Sequence, residues 1–169
     1  MQKRVYTEQD LSVLESPLEV IRSRPDIYLP FRQVNEENLS VRLVDDVVYL
    51  SKGAVAILRW RGWWVVACEE DWVEVSRARW AERRRAATLP QIDDGLRGYF
   101  ANIVPFPERG ANDLHGEVLL TAFANEVFTA TAEGSRVCLL GEVPDEGLLE
   151  CIERSLPRWQ RLVAFRMDG

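Results

Sequence analysis

Six residues, Trp63-Trp64-Val65-Val66-Ala67-Cys68, constrain this chain more than any other stretch. They are aromatic, β-branched or small and carry almost no polar atoms, which reads as a central strand of a sheet. The run before them, 54–60, alternates more moderately in polarity. Between the two stands Arg61-Gly62, a two-residue connection of the X-Gly kind that closes a β-hairpin.

Helical spacing dominates on either side of this hairpin. Leu14, Leu18 and Ile21 share a helix face, Pro25 is expected to end it, and Ile27-Tyr28-Leu29-Pro30 to leave as an apolar tail. From Asn38 a helix is expected with Leu39, Leu43, Val47 and Leu50 on one face and Gly53 as its stop. Residues 73–87 read as a helix carrying Arg77, Arg79, Arg83, Arg84 and Arg85, either a solvated face or a site for an anion or acidic partner. The stretch 88–112 holds four prolines and glycines before Pro107 and Gly110, so it reads as a long loop with one turn of structure near 96–103. Taken broadly, residues 76–112 form a lid-like region. A helix from Asp113, a hairpin of 127–131 with 136–143, a helix capped by Asp145 and ended by Pro157, and a strand over 160–167 complete the order. The expectation is one domain over 1–169 with an N-terminal arm at 1–13. Its fold class is α/β, a two-layer sandwich in which a mixed, mostly antiparallel sheet is covered on one face by helices.

Charge and composition narrow the function. A net charge of −6 opposes general binding to a phosphate backbone, which needs a basic face for counterion release. Cys68, Cys138 and Cys151 are odd in number, widely spaced and set among apolar neighbours, as buried thiols of a reducing compartment are. One histidine excludes a His-rich metal site. No stretch approaches the ~20 apolar residues of a membrane span, so a cytoplasmic location is expected.

The segment from Leu18 to Leu29, with Arg24-Pro25-Asp26-Ile27-Tyr28 at its centre, resembles the helix ending in Arg-Pro-Gly-Met-Tyr-Ile of the DNA gyrase B subunit, a branch of the GHKL ATPases. Leu43-Val44-Asp45-Asp46 is similar to that family's magnesium-holding Val-Val-Asp-Asn. Residues 54–70 are similar to the two strands before its adenine-reading Asp-Asp-Gly-Arg-Gly, and Asp113-Leu114-His115-Gly116 to its Gly-Leu-His-Gly phosphate loop. The pieces are collinear over nearly the whole chain. The resemblance implies a Bergerat-type sandwich whose nucleotide pocket lies among Asp46, Cys68, Glu70, His115 and Gly116, with Asp46 as the candidate metal ligand.

The departures imply that the chemistry is lost. The general-base position falls on Arg42, which stays protonated and cannot accept a proton from water. The adenine-reading aspartate falls on Cys68, a poor acceptor, and the following small positions become Glu70-Asp71-Trp72. Glu117 brings a carboxylate to the helix start where phosphate would sit. Glu69-Glu70-Asp71 with Asp45-Asp46 reads either as a carboxylate set around a divalent ion or as a solvated remnant. No transducer domain is expected. The reading is therefore a pseudo-ATPase of gyrase B type, without cofactor, acting through a protein partner or self-association. The alternative is a nucleotide-binding sensor or weak Mg-dependent ATPase with a rewired pocket and ATP/Mg as cofactor. Tyr6 and Leu11 of the arm, with Trp60, Trp72 and Trp80 beside charged residues, are the expected interface anchors.

Overall fold

The computed structural model describes residues 16–29, 33–86, 95–103, 106 and 113–167. Tyr6, Leu11 and the rest of the expected arm lie outside the described residues, as do 87–94, 104–105 and 107–112 of the expected lid.

Ser16 opens the first helix, α1 (Pro17–Ser23), through a capping box with Glu19. Pro25 ends α1 as expected, but it also stands at the first position of a further short helix, α2 (Pro25–Tyr28). That corrects the apolar tail, because proline's fixed φ suits a helix start as well as a helix stop. Asn35 caps α3 (Glu36–Leu50) by accepting from the Asn38 N–H at 2.8 Å, which starts the helix earlier than apolar spacing suggested. Its buried stripe includes Leu39, Leu43, Val47 and Leu50, as read from the sequence.

The hairpin joins β1 (Val55–Trp60) to β2 (Trp63–Cys68) in antiparallel register, with Trp60 opposite Trp63. Arg61 and Gly62 both take positive φ, 46° and 89°, as a type I′ connection requires. Then come α4 (Trp72–Ala86), α5 (Leu96–Ala101), α6 (Gly116–Phe123), the strands β3 (Glu126–Thr131) and β4 (Arg136–Leu140), α7 (Gly147–Ser155) and β5 (Arg161–Arg166). The expected lid is thus helical over 76–86 and 96–101, and α5 buries Tyr99 and Phe100 in the core.

The five strands form one sheet of order β1-β2-β5-β3-β4, and every pairing is antiparallel. Strand alternation sorts the sheet's side chains into two cores. Val66, Cys68, Val127, Val163 and Phe165 meet α1, α3, α4, α5 and α6 on one face. Trp63, Val65, Ala67, Phe128, Ala130, Leu162 and Ala164 meet Leu148, Ile152 and Leu156 of the α7 segment on the other. The α/β sandwich stands and its sheet is antiparallel throughout, but the expected cover on one face is corrected: α7 packs on the second face. That explains why β2 is almost wholly apolar: both of its faces are buried.

Cys68 is buried, Cys138 and Cys151 are half-buried, and all three are free thiols. Among the described residues no helix is long and apolar enough to cross a membrane.

Candidate functional site

The start of α6 is where buried polar groups converge. Asp46 projects from the third turn of α3, on the stripe of Leu39, Leu43 and Val47 that faces the core, and is fully buried. Its Oδ2 accepts the Gly116 N–H at 2.5 Å, so the first amide of α6 is occupied by a side chain of the same protein. Gly116 makes this possible by letting the helices touch: a Cβ there would lie 3.0 Å from the Leu43 Cα and N. His115 is 3 % exposed, and its Nδ1 lies 3.7 Å from the same Asp46 oxygen.

Glu117 is fully buried one residue further on. Its Oε1 accepts the indole N–H of Trp72 at 2.7 Å, while its Oε2 is buried without a hydrogen-bond partner among the described residues. Burial pushes its carboxyl up to about 7, and the neighbouring Asp46 charge adds to the rise; His115, its own backbone bond and the Trp72 N–H pull it back.

A further shell closes around the imidazole. Phe106 stacks on it with centroids 4.3 Å apart. Ser76 of α4 places its Oγ 3.3 and 3.2 Å from the two ring nitrogens, and the Tyr99 hydroxyl donates to that Oγ at 2.7 Å. Tyr99's own pKa is driven well above the usual value by burial first and by Glu117 second. Arg42, at the general-base position of the resemblance, is buried and donates from Nη2 to the Leu114 carbonyl at 2.8 Å, with Asp113 Oδ1 at 3.2 Å. It braces the loop before α6.

Asp46, His115 and Gly116 therefore meet as the sequence suggested, whereas Cys68 and Glu70 belong elsewhere. Cys68 Sγ lies 3.0 Å from Ser51 Oγ, and the exposed Glu70 accepts from the Lys52 N–H. The imagined carboxylate set does not assemble: Glu69 pairs with Arg158, Asp71 with Arg161, and Asp45 is exposed. Each acid at the end of β2 is held by a cation or a backbone amide of its own.

Trp72 and Trp80 are buried, at 0 % and 6 % exposed, which corrects their reading as interface anchors. Trp72 fills the core beside Glu117; Trp80 packs on Tyr99 and is covered by the Arg84 guanidinium 5.0 Å from its ring. A charged neighbour in sequence lay over the ring instead of marking it as exposed. Trp60 is half-buried and donates its indole N–H to Asp145.

Sequence reasoning singled out Glu117 only as a rival to phosphate, and it missed Ser76, Tyr99 and Phe106. Ser76 and Tyr99 carry no local signal, since they reach His115 only once α4 and α5 pack around α6. Comparison of the chain with protein-family models, with curated proteins and with solved structures found no match in any of the three.

Proposed function

We propose that the chain is a non-hydrolysing module of GHKL, gyrase B-like type that works by binding protein. The observation that carries the reading is the closed start of α6. Phosphate binding at a helix start depends on free backbone N–H groups and a positive local field. Here the Gly116 N–H is taken by Asp46, and Glu117 adds a second buried carboxylate beside it. The indole of Trp72 occupies the interior next to that carboxylate. Arg42 at the general-base position supports the loss of hydrolysis. A nucleotide sensor would need the same amides, so it is disfavoured on the same ground.

Association finds its support on the outer side of α3. Val41, Val48 and Tyr49 are 50 %, 63 % and 49 % exposed and stand at i, i+7 and i+8, one helical face. Exposed apolar side chains on one helix face are what protein partners cover, and the exposed Asp45 among them gives that face a charge as well. Tyr6 and Leu11 remain part of the proposal as arm contacts.

Calorimetric titration with magnesium and a non-hydrolysable ATP analogue tests the first half, with no binding expected below millimolar concentration. Micromolar affinity would overturn it. Sedimentation over a range of concentrations, with Val48→Asp as the comparison, tests the second half. Association weakened by the aspartate is expected, and an unchanged profile argues against the α3 face.

A further inference from the structure

We propose that Asp46, His115 and Glu117 bind a divalent transition-metal ion inside the helical layer, with Zn2+ as the reference ion. The inference rests on the cluster itself and not on the resemblance to ATPases.

The three residues each offer one ligand atom, and these atoms all lie within 4.8 Å of one another. The His115 Nδ1 to Asp46 Oδ2 separation of 3.7 Å is close to the edge of a tetrahedron whose ligands sit about 2.0–2.2 Å from the ion.

A second observation points to a ligand independently. Glu117 Oε2 is a fully buried carboxylate oxygen without a hydrogen-bond partner among the described residues, on a side chain already held at Oε1 by Trp72. Native structures seldom leave such an oxygen unsatisfied, because the lost hydration is not recovered.

The surroundings fit a ligating histidine. Ser76 Oγ lies 3.2 Å from Nε2 and 3.3 Å from Nδ1 and also accepts from Tyr99, so with Nδ1 on the ion it is the polar partner left for Nε2–H. Metal-bound imidazoles are commonly fixed by such an outer hydrogen bond. Two oxygens and one imidazole suit Zn2+, Mn2+ or Fe2+; Ca2+ takes more oxygen donors than three side chains supply. Asp46 can serve while keeping its Gly116 bond, since a carboxylate has several lone pairs.

The test uses the full chain, stripped with EDTA and refolded with and without Zn2+ or Co2+, because the site is buried. Equilibrium dialysis with metal analysis should find one ion per chain, Co2+ should give a visible ligand-field spectrum, and the melting temperature should rise with metal. Glu117→Gln and Asp46→Asn should each weaken binding at least tenfold and abolish the Co2+ spectrum, and Ser76→Ala should weaken it about tenfold. Glu117→Gln keeps an acceptor for Trp72, and circular dichroism checks its fold. The proposal is overturned if refolded wild-type chain takes up neither ion at millimolar concentration. It is equally overturned if folded Glu117→Gln binds as tightly as wild type, since the ion would then sit elsewhere.

Discussion

Glu117→Gln, examined without metal, probes the energetics of the buried cluster. The Glu117 carboxyl is raised from its ordinary 4.5 to about 7 in the folded protein, by burial first and Asp46 second. The folded state thus holds a proton that the unfolded chain releases between those two values. In that window the unfolded state binds fewer protons, so stability falls as pH rises from about 4.5 through about 7, and is level above. At ~1.4 kcal/mol per pH unit, the gap amounts to about 3 kcal/mol. Glutamine removes the proton from the balance while its amide oxygen still accepts the Trp72 N–H. The groups facing this side chain, Asp46 of α3, His115, Trp72 of α4 and Tyr99 of α5, remain in both proteins. Urea denaturation in EDTA from pH 5 to 8.5 should show the variant increasingly more stable than wild type as pH rises. The difference should approach about 3 kcal/mol, a midpoint shift of ~1–2 M urea. Parallel pH profiles for the two proteins would refute the reasoning, as would a variant that loses ground at high pH.

Trp72→Phe removes the indole N–H that Glu117 Oε1 accepts in the buried cluster. A cost of about 1–3 kcal/mol is expected, larger at pH 8 than at pH 5, by the same denaturation series. Gly116→Ala drives a methyl to 3.0 Å from the Leu43 backbone, which cannot swing aside as a side chain would. It should destabilise by ~1–3 kcal/mol, seen as a lower melting temperature. Leu148→Ala, in the core between α7 and the sheet, should cost about 2–5 kcal/mol; a change near zero would deny that α7 is an integral cover.

The sheet was legible where its signals were local. Arg61-Gly62 placed the first hairpin, and the unbroken apolar run of Trp63 to Cys68 marked a strand buried on both faces. What the chain did not reveal was the side on which α7 would lie. Leu148, Ile152 and Leu156 mark an apolar face, but nothing in their spacing says which surface of the sheet receives it. The site divides in the same way. Asp46, His115 and Gly116 could be grouped by their place along a collinear pattern. Glu117 was visible as a carboxylate at a helix start, but its burial and its bond to Trp72 depend on three helices meeting. Ser76 and Tyr99 are separated from His115 by 39 and 16 positions, and only packing brings them together.

The place of β5 also governs the order in which the protein can become whole. β1 and β2 form one hairpin, β3 and β4 another, and the two pairs touch the same strand but not each other. An isolated hairpin is marginal in water. During synthesis, both hairpins can be fully translated and still share no sheet until residues 161–166 leave the ribosome. A nascent chain halted before them carries two open strand edges that face an empty slot, the edges of β2 and β3. In the finished fold one six-residue strand supplies the pairing on both sides.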